Sequence, residues 1–245
     1  MKVLAIIPAR YDSSRFPGKP LIDIKGKAMI QRVYEQTAKA KLVNDVVVAT
    51  DDQRIFDEVE KFGGQVMMTS TEHKSGTERC GEVIAKNDKY DVVINIQGDE
   101  PLINPSQIDD VLNTFKNKNV NIATLVKKMT DIDELLNPNR VKVVLNQNNE
   151  AMYFSRNPIP FIANIPKEKW LNHAVFWKHI GIYAWRLDVL NALIKLEPTR
   201  LEKQESLEQL RWLFHNYKIK TVETTIETPN IDTPEDLKRV LDVLK

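Results

Sequence analysis

The chain has 245 residues, a length at which a single α/β domain folds around one core. Its 35 Lys and Arg nearly cancel its 34 Asp and Glu, which excludes the overall basic excess of a nonspecific nucleic-acid binder and points to a small-molecule partner. Cys80 is the only cysteine, so no intrachain disulfide and no cysteine-held zinc or iron cluster can form, and a reducing cytoplasmic location is expected.

The first apolar run is cut short by Pro8, Arg10 and Asp12, before it reaches the length of a signal peptide core or a membrane span, so neither export nor membrane insertion is expected. Residues 3–7, 46–49 and 92–96 are short, β-branched and apolar without alternation, the pattern of strands covered on both faces in a parallel sheet. Between them, Met29, Ile30, Val33, Tyr34 and Ala38 share one helical face, and Ile55, Val59 and Phe62 repeat the spacing before Gly63-Gly64 ends the helix. The β-α-β-α-β order predicts an α/β fold whose ligands gather beyond the carboxyl ends of the strands.

Further on, residues 141–145, a polar turn over 146–150 and residues 151–154 predict an antiparallel hairpin. Residues 124–186 are taken as a smaller lobe or dimerisation flap within one domain covering 1–245. Thr199 with Glu202 predicts a capped helix running through Phe214, and Thr233-Pro234-Glu235-Asp236 predicts a second helix start.

The loop after the first strand carries Arg10, Arg15 and Lys19 with the hydroxyls of Ser13 and Ser14. Forked guanidinium donors, a compact ammonium and the turn allowed by Gly18 together make a polyphosphate clamp. It is neither a Walker A loop nor a G-x-G-x-x-G turn, which argues against kinase-like P-loops and dinucleotide oxidoreductases. After the third long strand, Gln97-Gly98-Asp99-Glu100 offers carboxylates of the kind Mg²⁺ takes with water and phosphate.

Other polar residues have plainer readings when taken alone. Asp232 and the Ser75-Gly76-Thr77-Glu78-Arg79 segment read as helix caps. His179, with Gly181 and Tyr183 on the same face of a strand, reads as a buried, satisfied histidine. Glu208 and Gln209 read as part of a solvated helical face.

Together, however, the segments Pro8-Ala9-Arg10-Tyr11, Pro17-Gly18-Lys19-Pro20, Ser75-Gly76-Thr77-Glu78-Arg79, Asn95-Ile96-Gln97-Gly98-Asp99-Glu100-Pro101, Tyr153-Phe154-Ser155-Arg156, His179-Ile180-Gly181-Ile182-Tyr183, Leu207-Glu208-Gln209-Leu210-Arg211 and Asp232-Thr233-Pro234-Glu235-Asp236 stand in an order and spacing that closely resembles the CMP-Kdo synthetase family. These are the 3-deoxy-manno-octulosonate (Kdo) cytidylyltransferases of lipopolysaccharide synthesis.

The resemblance implies a Rossmann-like, mostly parallel sheet of the nucleotide-diphospho-sugar transferase type with a smaller antiparallel dimerisation lobe, a homodimer, CTP and an acidic eight-carbon sugar as substrates, and Mg²⁺ as cofactor. It implies that Ala9, Arg10, Ser13, Arg15, Lys19, Ser75, Gly76, Arg79 and Asp99 hold the nucleotide. Arg10, Arg15, Lys19 and Asp99 would be catalytic, and Asp99 with Asp232 would ligate the metal. Gln97, Arg156, His179, Tyr183, Glu208 and Gln209 would line the sugar pocket. Alternatives are 8-amino-Kdo or another acidic ketose as the sugar, a metal-dependent glycosyltransferase, and a noncatalytic nucleotide-binding regulator.

Overall fold

A computed structural model describes residues 1–12 and 16–244. The expected strands are β1 (Val3–Ala9), β2 (Asp45–Thr50) and, after a short β3 (Val66–Met68), β4 (Val92–Asn95), with β1 parallel to both β2 and β4. In β1 the residues alternate between two cores. Val3, Ala5 and Ile7 enter one and Leu4 and Ile6 the other, so both faces are apolar and the sequence shows no alternation.

Three helices make the crossovers: α1 (Met29–Thr37), α2 (Gln53–Lys61) and α3 (Gly76–Ala85). On α1, Met29, Ile30 and Val33 are buried as expected, but Ala38 is exposed and Thr37 takes the inward position. The Thr37 hydroxyl is satisfied there by donating to the Val33 carbonyl at 2.8 Å, the usual way a threonine hides within a helix. Helix α2 opens with the Asp52 side chain accepting from the Arg54 N–H and closes at Gly63, whose φ of +79° stops the helix. Asp52→Ala is expected to cost about 1 kcal/mol, about 2–4 °C in Tm for a chain of this size, measured by thermal melting.

The second half continues through α4 (Pro105–Asn113), β5 (Ile122–Lys128), α5 (Ile132–Leu136), the hairpin β6 (Lys142–Leu145) and β7 (Ala151–Ser155), then β8 (Trp177–Arg186) and α6 (Leu187–Leu193). It ends with α7 (Arg200–Glu205), α8 (Gln209–Phe214), β9 (Ile219–Glu223) and α9 (Pro234–Val243).

The main sheet runs β3-β2-β1-β4-β8-β5-β9, and in that run β8 alone opposes the other strands. This is an α/β fold on a mixed, mostly parallel sheet flanked by helices. The span 124–186 begins in β5 and ends in β8, both inside this sheet. What stands off it is the β6–β7 hairpin, carried on β8, and a small apolar cluster of Met129, Leu135, Trp170 and Phe176. Among the described residues no helix is long and apolar enough to cross a membrane.

Two local irregularities shape the site. Between Thr124 and Leu125 the β5–β8 register slips, so that Tyr183 faces Thr124 and Ile180 faces Leu125. The Thr124 hydroxyl stands 3.2 Å from the Ile180 carbonyl and 2.7 Å from that of Ile182, which holds the bulge in place. The second irregularity corrects the expected single helix from Thr199 to Phe214. The Thr199–Glu202 capping box is present, but Ser206 adopts a left-handed conformation (φ +53°) that separates α7 from α8. The turn buries Leu207 and swings Glu208 inward instead of leaving it on a solvated face.

Candidate active site

The strand order reverses around β1 and β4, where crossovers depart in opposite directions and a crevice opens at the carboxyl ends. The loop after β1 is closed by the Gly18 N–H donating to the Tyr11 carbonyl at 2.9 Å. Gly18 has φ +72°, a conformation that favours glycine, and a Cβ there would stand a tight 3.1 Å from the Tyr11 hydroxyl. The Arg54 guanidinium lies 3.2 Å from the centre of the Tyr11 ring and backs the loop from α2. Ser13 and Arg15 lie outside the described residues.

Lys19, leaving this loop, reaches Asp99 Oδ2 at 2.8 Å and Asp232 Oδ1 at 3.2 Å. Asp99 comes from the end of β4. Asp232 comes from the segment before α9, and the two segments are joined where the Ile231 N–H donates to the Asp99 carbonyl at 2.9 Å. The Asp232 N–H in turn donates to Asp236 Oδ2 at 3.0 Å, within the capping box that starts α9.

Of the adjacent carboxylates after β4, only Asp99 serves this meeting point. Glu100 is turned into the protein, and burial, with the Asp99 charge beside it, pushes its pKa from 4.5 up to about 8. Because its folded pKa is raised, Glu100 favours folding below the unfolded value, and that advantage is lost as pH rises from about 4.5 through about 8. Glu100→Gln is therefore expected to gain stability relative to the parent as pH rises across this window and to match it near pH 4. Melting curves at both ends check this.

The cleft at this meeting point has a volume of about 460 Å³ and is lined by Ala9, Arg10, Lys19, Ser75, Gly76, Arg79, Asp99 and Asp232, with Gln97 at its edge. The expected nucleotide residues within the described chain thus converge. Arg79 does so as a buried brace. Its guanidinium donates to Asp51 Oδ2 at 2.6 Å and also to the Thr69 hydroxyl. Ser75 keeps its capping role, accepting from the Glu78 N–H, and its hydroxyl also donates to Glu208 Oε1 at 2.9 Å.

A second chamber of about 250 Å³ adjoins the first, sharing Pro8, Gly76 and Gln97 with it, and contains His179, Gly181, Tyr183, Glu208 and Gln209. The His179 and Tyr183 rings lie 5.2 Å apart on one face despite the bulge. Thr124 Oγ1 is 3.1 Å from His179 Nε2, and burial lowers the imidazole pKa from 6.5 to about 3, so His179 is neutral and satisfied. Burial, and then the Glu208 charge, raise the Tyr183 phenol well above its ordinary range. Behind it, Trp212 packs edge-on against Tyr183 and Trp185 at 4.9 and 5.7 Å.

Glu208 and Gln209 correct the reading of this stretch as a solvated face. Gln209 is 5% exposed, and the Glu208 carboxylate accepts from both Ser75 and Thr77, the latter at 2.6 Å. Burial raises the Glu208 pKa, opposed by these hydrogen bonds. The apolar neighbours Leu207 and Leu210 are the sequence signal that this polar pair faces inward.

Arg156 does not join the second chamber. Its guanidinium is spent on the carbonyls of Glu205, Pro138 and Ser206 at 2.7, 3.1 and 3.3 Å, and it lines a separate groove with Arg140, Asp232 and Arg239. Two residues of structural consequence carry no isolated signal in the sequence. The buried Lys142 ammonium binds the carbonyls of Asn137, Arg140 and Arg156, and burial lowers its pKa to about 8. Gly98 passes so close to β1 that a Cβ would lie 2.8 Å from the Pro8 carbonyl oxygen.

A model of the cytidylyltransferase family matches residues 4–220. The chain is 54% identical over 246 residues to the 3-deoxy-manno-octulosonate cytidylyltransferase of Parabacteroides distasonis, covering 98% of this chain and 97% of that protein. The chain belongs to the 3-deoxy-manno-octulosonate cytidylyltransferase family. The Bacteroides thetaiotaomicron member is also 54% identical, over 250 residues that cover 100% of this chain and 99% of that protein. A solved structure of CMP:2-keto-3-deoxy-manno-octonic acid synthetase complexed with CTP superimposes with a TM-score of 0.93 at 43% identity, covering 100% of this chain and 98% of that one. The family membership and the sheet architecture implied by the sequence motifs are therefore both borne out.

Proposed function

We propose that this chain joins CTP to 3-deoxy-manno-octulosonate, giving CMP-Kdo and pyrophosphate, as a Mg²⁺-dependent homodimer in the cytoplasm. The observation that carries the reading is the pair of adjoining chambers, one lined by cations, the α3 N-terminus and two aspartates, the other by hydroxyl, amide and imidazole groups with the Glu208 carboxylate, a set suited to a polyol. Relatives 54% identical over nearly the whole length carry this activity in their names.

In this reading the anomeric hydroxyl of the sugar attacks the α-phosphorus of CTP in line, the P–O bond to pyrophosphate breaks, and the hydroxyl proton passes to water. Lys19 and Arg10 neutralise charge on the leaving group, and the Ser75–Gly76 turn at the start of α3 offers backbone N–H groups to phosphate oxygens. Glu208 holds Ser75 and Thr77 and so fixes the sugar chamber against the nucleotide chamber. His179 is held neutral and packed against Phe154 and Tyr183, which suits hydrogen bonding to a hydroxyl. Positioning and charge stabilisation supply most of the rate.

Asp99 and Asp232 fit a Mg²⁺ site by chemistry, since two hard carboxylates from separate segments converge on one cation. A Mg²⁺ ion held there would supply positive charge to the triphosphate. Among the described residues no group of three or more His, Cys, Asp or Glu could hold a metal, and a two-carboxylate site completed by phosphate and water needs none.

For the homodimer, Met152 on β7 and Phe161 in the segment after it, at 60% and 73% exposure, offer the surface where two copies meet. Sedimentation of the parent and of Phe161→Asp tests that surface. To test the reaction, the protein is given each of the four nucleoside triphosphates with Kdo, 8-amino-Kdo or sialic acid, and products are identified by mass. CMP-Kdo formed from CTP and Kdo in preference to the other pairs is expected. A different preferred sugar would keep the chemistry and overturn the substrate.

A further inference from the structure

Lys19 Nζ stands between two carboxylates that come from opposite ends of the chain, 2.8 Å from Asp99 Oδ2 and 3.2 Å from Asp232 Oδ1. The Lys19 side chain is 13% exposed and each aspartate 26%, so the three groups interact more strongly than a surface pair would. Two carboxylates brought this close repel unless a cation lies between them, and here that cation belongs to the protein.

A divalent ion on the same pair would take carboxylate oxygens at about 2.0–2.1 Å. Lys19 already engages one oxygen of each carboxylate, and an ammonium beside a divalent ion adds like-charge repulsion. Resting on the reading that Asp99 and Asp232 hold the metal, we propose that Lys19 is a built-in competitor for this divalent-cation site. Metal entry requires Lys19 to leave the aspartates, and the nucleotide triphosphate is the anion that receives it.

The local backbone suits such an exchange. Lys19 begins a short 3-10 turn between Gly18, in a left-handed conformation, and the buried Pro20, so its Cα is fixed while the long side chain is free to trade partners. Arg10 and Ser75 line the same cleft, which already gathers donors for phosphate. Metal and nucleotide then bind with positive coupling, because each releases a partner that the other needs, and linkage makes that coupling reciprocal. Before the nucleotide arrives, Lys19 keeps Asp99 and Asp232 together.

The test is Mn²⁺ binding to the full chain, read from the electron paramagnetic resonance signal of free Mn²⁺, with and without saturating CTP. Lys19→Met is expected to bind Mn²⁺ at least tenfold more tightly than the parent when nucleotide is absent, equivalent to about 1.4 kcal/mol. The gain in Mn²⁺ affinity on adding CTP should shrink by a similar factor. Lys74→Met removes a like charge from the same cleft and should change Mn²⁺ affinity less than threefold. Equal or weaker Mn²⁺ binding by Lys19→Met, or an equal gain from Lys74→Met, overturns the competition. Asp99→Asn separates the two ideas: if it keeps parental Mn²⁺ affinity with CTP, the metal reading fails. Loss in Asp99→Asn with no change in Lys19→Met leaves the metal reading standing and removes only the competition.

Discussion

Asp99→Asn is expected to lower kcat by about 10²-fold to 10³-fold, by analogy with the loss of one charge-stabilising oxyanion donor. Asparagine keeps the shape and the backbone carbonyl that accepts from Ile231, so the fold should survive with a Tm within a few degrees of the parent. What it loses is the charge that meets Lys19 and Asp232 at the mouth of the nucleotide cleft. Initial rates of pyrophosphate formation, with melting curves as the folding control, measure both effects. Turnover within threefold of the parent in a folded Asp99→Asn protein would remove Asp99 from the catalytic centre.

Glu208→Ala is the second large effect. One carboxylate there accepts hydrogen bonds from Ser75 and Thr77, joining the start of α8 to the start of α3 across 133 and 131 positions of sequence. Cutting both contacts takes the acceptor from two hydroxyl protons, although the Ser75 oxygen still caps α3, and it frees the two chambers to shift against each other. A displacement near 1 Å between reacting groups costs about 10²-fold in rate, and a fall of that size in kcat/KM for the sugar is expected. Glu208→Gln should lose less, because its amide keeps the volume and can still accept from one hydroxyl while donating to the other. Steady-state kinetics with each substrate varied in turn distinguish these outcomes. Equal kinetics for the parent and Glu208→Ala would mean that the bridge is only structural.

The half of the fold that is legible in sequence is the half built from local, doubly buried elements. β1, β2 and β4 announce themselves as unalternated apolar runs because helices cover both faces, and α1 and α2 show a clear helical face. The capping boxes at Thr199 and Thr233 are equally readable, because the reciprocal bonds span only three residues.

What escapes is set by partners distant in sequence. Nothing local says that β8 enters between β4 and β5 against their direction, or that its register slips at Thr124. The break at Ser206 is hidden because the left-handed turn falls on a serine and not on a glycine that would announce it. Its cause lies partly in Glu205, whose carboxylate accepts from the Ser155 hydroxyl and the Arg156 N–H of β7 and the turn after it. The carbonyls of Glu205, Pro138 and Ser206 hold the Arg156 guanidinium outside the second chamber. In the site, Lys19 and Asp99 are recognisable as chemistry, Asp232 only through the family resemblance, and only the structure shows that they touch. Glu208 taken alone reads as solvent-facing, and its burial depends on α3, more than a hundred residues earlier.

The coupling of the two chambers is tested most directly by following pyrophosphate formation when the protein is given CTP alone, Kdo alone, and both together in the presence of Mg²⁺. Pyrophosphate formed only with both substrates, in equal amount to CMP-Kdo, is the expected result. Pyrophosphate formed at the same rate from CTP alone, or none formed with both substrates and a folded protein, would contradict the assignment of the two chambers to one transfer reaction.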